Sequence, residues 1–290
     1  MIDIMKITQE TINRYTEGIN NPSTQKTYKH KLKKFTEYLE KNNIDDINQE
    51  NLNTIIHDYK AHLNKQNYKA TTINQYLIIL KTFINDYTTL EYNKNLKLIK
   101  TEKRKPKYLT IEQIQIGLKY VDDKTDELMI KLLTNTGLRI HEALSIKKQQ
   151  LENTDKTGNA LIEIIGKNTK RRTIVIPEKL ARELKRYAKN NRIYVFESER
   201  EKGKPRSIRN IQYRFKKLAA KIDKEEHTTI YSENLKPHNL RHSFAIEALK
   251  TNEINYVKEF LGHENIATTQ IYTNLKEEEV VERFKEINII

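Results

Sequence analysis

His238-Asn-Leu-Arg241-His242-Ser243, followed by Leu261-Gly262-His263 and then by Tyr272 nine residues later, is the stretch on which the interpretation of this chain turns. His238 and His242 are spaced as two ligands of a helical metal site would be. No Glu follows His238, however, and Arg241 lies between the two rings, so the His-Glu-x-x-His pattern is absent and no metal is expected. His242 reads as a residue that holds its helix in place. Two earlier segments belong with this stretch: Thr136-Gly-Leu-Arg139-Ile-His-Glu142 and Gly166-Lys167-Asn-Thr-Lys170. Each of these segments alone has a plain explanation. Gly-Leu-Arg can be a helix stop beside a surface arginine, a lysine in a hairpin turn is usually solvated, and Gly-His can close a helix with a cation against its dipole. Tyr272 is one of 16 tyrosines, most of which should serve packing.

Around these segments the second half patterns as helices with one small hairpin. Thr110 and Gln113 form a capping-box signature that opens the domain, and helical spacing runs through Leu128, Met129, Leu132 and Leu133 to a stop near Gly137. Ala160 to Ile165 and Thr173 to Ile176 read as strands joined by the polar turn 166–171. Helices resume near Glu178, over Ile208 to Ile222, and from His238.

The first hundred residues are helical throughout. Tyr28, Leu32, Phe35 and Leu39 make one stripe, with Pro22 and Ser23 at its start; Ile55, Ile56, Tyr59 and Leu63 make a second; Ile73, Leu77, Leu80, Ile84 and Tyr87 make a third. These stripes predict the core of a small bundle. Lys29, Lys31, Lys33 and Lys34 lie between them as a basic face suited to solvent or to a DNA backbone. From Lys94 to Lys107 there are seven basic residues against the single acid Glu102, and Pro106 interrupts any helix. The expected division is therefore a helical domain at 1–100, a basic linker at 101–107 and a second domain at 108–290. The fold class is mainly α with a small β-sheet.

With 53 Lys and Arg against 39 Asp and Glu, the formal net charge is +14, which favours a polyanionic partner that releases condensed counterions on binding. Cys is absent, which excludes disulfides and thiolate metal sites. No apolar run approaches the ~20 residues needed to span a bilayer, and the N-terminus lacks the order of a secretory signal. A cytoplasmic, nucleoid-associated protein without membrane contact is expected.

In their order and company, the four segments resemble the tyrosine recombinase (phage integrase) family, particularly its short Xer-like members, over about residues 108–275. The His-x-x-Arg-His run and the Leu-Gly-His…Tyr block are the most specific parts. The resemblance implies a core-binding domain at the N-terminus and a mixed α/β catalytic domain after it. It places the catalytic set on Arg139, Lys167, His238, Arg241, His263 and Tyr272. Attack on a phosphodiester builds negative charge on its equatorial oxygens, and forked arginines stabilise that charge. Tyr272 would be the nucleophile, His238 the base that accepts its proton, Lys167 the acid for the leaving 5′-oxygen, and His263 a further phosphate donor. The hairpin has Asn168 where many members have a second glycine, so Lys170 remains an alternative acid. Glu142 would buttress Arg139 through an ion pair.

The product would be a 3′-phosphotyrosyl bond, with no cofactor required. The implied partner is double-stranded DNA carrying an inverted repeat, bound by a homo-tetramer on two sites or by this chain together with a related recombinase. Residues 276–287, with Val280, Phe284 and Ile287 at helical spacing, would dock on a neighbouring protomer. A type IB topoisomerase-like enzyme shares the chemistry and is the alternative.

Overall fold

A computed structural model of the chain describes residues 7–91, 98–101, 106–165 and 171–262. The chain divides into two compact units, Met1–Lys103 and Arg104–Ile290.

Among the described residues, the first unit holds four helices: α1 (Gln9–Glu17), α2 (Pro22–Lys41), α3 (Leu52–Lys65) and α4 (Ala70–Tyr87). Helix α1, which no stripe predicted, starts at a capping box made by Thr8 and Thr11. Helix α2 begins as expected at Pro22, where a missing N–H costs nothing, and the Asn21 side chain accepts from the amides of Ser23 and Thr24. The predicted stripes are the core: Leu32, Phe35, Leu39, Ile55, Ile56, Tyr59, Leu63, Ile73, Leu77, Leu80 and Ile84 are all buried, while Tyr28 and Tyr87 pack at its edge. Aromatic rings fill much of it. Tyr59 meets Phe35 at 4.9 Å and Tyr38 at 5.0 Å between ring centroids, a spacing that adds edge and face attraction to area burial.

The basic face of α2 is not uniform. Lys29 and Lys33 are exposed, and Lys34 pairs with Glu37 at 2.7 Å. Lys31 is instead buried, its ammonium 3.9 Å from the centre of the Tyr76 ring. That cation sits on the electron-rich face of an aromatic and is not part of a surface offered to DNA. Burial pushes its pKa down.

The second unit opens with α5 (Ile111–Leu118), capped reciprocally by Thr110 and Gln113 as the sequence predicts. There follow α6 (Lys124–Thr136), α7 (Ile140–Ser145), a 3-10 turn at Lys148–Glu152, strands β1 (Ala160–Ile165) and β2 (Arg171–Ile176), then α8 (Glu178–Tyr187), α9 (Ile208–Glu225), α10 (Ile230–Asn234), α11 (Pro237–Thr251) and α12 (Ile254–Leu261). The strands pair antiparallel, with Ala160 opposite Ile176 and Ile165 opposite Arg171. Strand β2 thus begins two residues earlier than its apolar pattern suggests. Arg171 and Arg172 belong to the strand because each has an acidic partner: Arg171 reaches Glu163 across the hairpin and Arg172 reaches Glu142.

Ile162, Ile164, Ile174 and Ile176 form the buried face of the sheet, in one core with Leu128, Met129, Leu132 and Leu133 of α6. Helix α11 packs on α6, and α12 packs on both α11 and β2. Ala245, Leu249, Val257 and Leu261 make the seam between α11 and α12. Lys107, at the end of the basic stretch, pairs with Glu233 of α10 at 2.7 Å. Among the described residues, no helix is long and apolar enough to cross a membrane.

Candidate active site

Arg241 is a largely buried arginine on α11, 1% exposed. A guanidinium taken out of water must be hydrogen-bonded. One terminal nitrogen donates to the carbonyl of Gly137 at 2.5 Å and the other to the carbonyl of Leu261 at 2.7 Å. One side chain thereby links the end of α6 to the end of α12.

Both helix ends are shaped for this contact. Each closes on a left-handed glycine, Gly137 at φ 59° and Gly262 at φ 65°, which leaves the terminal carbonyls facing outward. At Gly137 a side chain is also excluded by space, because a Cβ would lie 2.3 Å from Cδ1 of Phe244.

Three arginines from separate parts of the sequence converge on the end of α12. Phe260 O accepts from Nε of Arg172 at 3.2 Å, Leu261 O from Arg241, and Gly262 O from Arg139 at 3.4 Å. These carbonyls carry the negative end of the helix dipole, and cations there are stabilising. The C-terminus of α12 therefore gathers positive charge at one point while satisfying its own orphan acceptors.

Arg139 caps the start of α7 and is the more open of the motif arginines, with 37% of its side chain exposed. Its amide donates to Glu142 at 2.7 Å, and its guanidinium pairs with the other carboxylate oxygen at 3.2 Å. The expected buttress is thus present, and Glu142 has a second cation as well: Arg172 donates to it at 2.8 Å. Burial alone would raise the Glu142 pKa. The hydrogen bond from Arg172, the Arg139 amide and the two guanidinium charges outweigh burial and hold it below the ordinary carboxylate range.

His238, in the first turn of α11, lies within the field of the same cations. Desolvation, then Arg241 and Arg139, push its pKa below the usual histidine value, which favours a neutral ring at pH 7. His242 lies one turn on, its ring 4.3 Å from that of His238 and its pKa lowered to about 4 by burial, His238 and Arg241. Being buried and close to obligatorily neutral, it suits the packing role assigned to it.

Of the six residues singled out from the sequence, the fold brings Arg139 and Arg241 to the end of α12, with His238 near enough to feel both charges. Lys167, His263 and Tyr272 lie outside the described residues, as do Lys170 and the tail 276–287. Lys167 falls between the paired strands, and His263 directly follows Gly262. The residue missed in the sequence is Arg172. Its signal was present: it shares strand parity with buried Ile174 and Ile176, and a charged residue on an inward face calls for a partner.

An open guanidinium, a buried guanidinium that adds fixed charge behind it, and a neutral imidazole that feels both can hold a phosphodiester oxygen and accept a proton beside it. This is the equipment of an enzyme that acts on a nucleic-acid backbone. Residues 107–279 match the phage integrase family, and residues 12–91 match the N-terminal SAM-like domain of phage integrases. The chain belongs to the phage integrase family, the tyrosine recombinases.

It is 30% identical over 275 residues to the tyrosine recombinase XerD of Rickettsia prowazekii, covering 86% of each chain. It is also 30% identical over 224 residues to the tyrosine recombinase XerA of Thermococcus kodakarensis, covering 75% of each. Its fold is similar to that of the Tn1549 transposon integrase in complex with a circular intermediate DNA, at 17% identity and a TM-score of 0.70 over 92% of this chain and 95% of that one. It is similar too to the XerH site-specific recombinase bound to its difH substrate, at 22% identity and a TM-score of 0.67 over 94% and 84%.

Proposed function

We propose that this chain is a site-specific recombinase that cleaves and rejoins duplex DNA through a covalent bond to Tyr272. The observation that carries the reading is the meeting of Arg139 and Arg241 at the end of α12, within whose field His238 lies and after which His263 is next in sequence. In the reaction, the Tyr272 oxygen attacks phosphorus and its proton passes to His238. The bond from phosphorus to the 5′-oxygen breaks, and Lys167 protonates that oxygen. The products are a 3′-phosphotyrosyl link and a free 5′-hydroxyl. Rejoining reverses each step, so the phosphodiester is exchanged without loss and no energy source is consumed.

Arg139, the more exposed fork, is positioned to take the phosphate oxygens, while Arg241 acts from within as a fixed cation whose orientation two carbonyls set. Electrostatic stabilisation from preorganised donors is the largest contribution such a site can make. The DNA partner carries an inverted repeat with one protomer on each half-site. Two such sites are brought together by four protomers, of this chain alone or with a related recombinase, and the tail 276–287 links neighbours.

The test uses a supercoiled plasmid carrying two copies of a site selected from an annealed library of inverted repeats. Deletion or inversion between the copies, with a four-way junction as intermediate, is the expected result. Relaxation of plasmids that lack the site, without any strand exchange, would replace this reading with a topoisomerase.

A further inference from the structure

Arg172 occupies a singular place in the second unit. It stands on β2, opposite Ile164, and points with Ile174 and Ile176 toward the inner side of the sheet. Its side chain is 11% exposed, so it does not face an approaching DNA. Its nitrogens are engaged with protein: Nε donates to Phe260 O at 3.2 Å and a terminal nitrogen donates to Glu142 at 2.8 Å. The remaining side of the guanidinium lies against Gly262, where an added Cβ would come 3.0 Å from it. A planar fork meets the carboxylate and the helix carbonyl in fixed directions, whereas a lysine ammonium on its flexible stem sets neither direction.

These contacts join three segments. Glu142 is the carboxylate that holds Arg139. Phe260 and Gly262 end the helix from which His263 follows. Strand β2 follows directly on residues 166–170, which include Lys167. A two-stranded sheet has no further strands to fix it in place, and a hairpin of this kind depends on packing for its position. Near its open end, the described anchors of β2 to the rest of the site are those of Arg172; the described pairing of Arg171 is across the hairpin, with Glu163.

We propose that Arg172 is a positioning residue which fixes the β1–β2 hairpin against Glu142 and the end of α12, and so delivers Lys167 to the leaving 5′-oxygen. The inference rests on the reading of Lys167 as the acid for that oxygen. Loss of Arg172 leaves Arg139 still held by Glu142, through the amide and guanidinium bonds that it makes independently. The damage therefore falls on protonation of the leaving group rather than on charge stabilisation at the phosphate.

Two nicked duplexes bearing the selected site separate these steps. One carries the ordinary scissile phosphodiester; the other has sulfur in place of the bridging 5′-oxygen. A thiolate is a far weaker base than an alkoxide and departs without an acid. Cleavage by wild type, Lys167→Ala, Arg172→Gln, Arg172→Lys and Arg139→Ala is followed on both substrates, with DNA affinity and the thermal midpoint measured for each protein. Arg172→Lys guards against the case in which Arg172→Gln does not fold.

The expected result is a loss on the order of 10²-fold on the ordinary duplex for Lys167→Ala and for the Arg172 variants. On the sulfur duplex both should return to within about tenfold of wild type, and Arg139→Ala should not. Rescue of Lys167→Ala without rescue of a folded Arg172 variant would overturn the role of Arg172 and leave the role of Lys167 intact. Failure to rescue Lys167→Ala itself would remove Lys167 as the acid, and the inference with it.

Discussion

Arg139 and Arg241 carry the same charge but stand in different surroundings, and their replacement should separate two kinds of loss. Arg139 is open and bonded mainly to one carboxylate; Arg139→Ala should slow cleavage on the order of 10²–10³-fold, as removal of a preorganised donor does, with little effect on urea unfolding. Arg241→Ala strands the carbonyls of Gly137 and Leu261. At about 1–3 kcal/mol for each buried group left unpaired, it should lower stability by roughly 2–6 kcal/mol as well as abolish cleavage. An unchanged urea midpoint for Arg241→Ala would mean that the two carbonyls are not held as described. The histidines give a pH signature. His242 is protonated near 6.5 when unfolded and near 4 when folded, so the folded state binds fewer protons between these values. Its stabilisation is full above pH 6.5 and is lost as pH falls toward 4, by roughly 3 kcal/mol. The urea midpoint of wild type should therefore drop more steeply across that window than that of His242→Gln. Parallel curves would contradict the assignment.

At the scale of elements, the site is built from ends of helices. Helix α6 must stop at Gly137 in a left-handed turn, with Phe244 of α11 filling the space where a side chain would go. Gly137→Ala combines backbone strain of about 1–2 kcal/mol with overpacking of similar size. It should cost on the order of 2–4 kcal/mol in urea unfolding, and a neutral result would show that α6 and α11 are not closely seated. Much of this was legible beforehand. The stripes of α2, α3 and α4, the capping box at Thr110 and the stop at Gly137 are local patterns, and local patterns survive into the fold because they bury the face they advertise. Arg139, His238 and Arg241 were legible through their motifs. What could not be read depends on partners far away in sequence. Lys31 lies in a run of surface-like lysines, and only the arrival of Tyr76 explains its burial. Arg172 falls between the predicted turn and the predicted strand; its parity marks it as inward-facing, but its partners show only once Glu142 and the end of α12 are brought beside it. The carbonyls of Phe260, Leu261 and Gly262 leave no mark on a sequence at all.

For the whole molecule, the excess of 14 positive charges sets how strongly DNA is held and how salt weakens it. Affinity for a duplex should fall on the order of 10³-fold or more between 50 and 200 mM salt, as for a protein that displaces many counterions; a filter-binding titration showing a shallow slope would argue against a phosphate-dominated grip. Everything else proposed for the molecule depends on one covalent bond. Its most direct test offers the protein a nicked duplex in which cleavage releases a short fragment, so that the joined species is trapped. Wild type should give a protein–DNA adduct that survives denaturing electrophoresis and whose digestion maps the nucleotide to Tyr272, and Tyr272→Phe should bind the same duplex without forming it. An adduct of equal yield from Tyr272→Phe, or one mapped to another residue, would contradict the account.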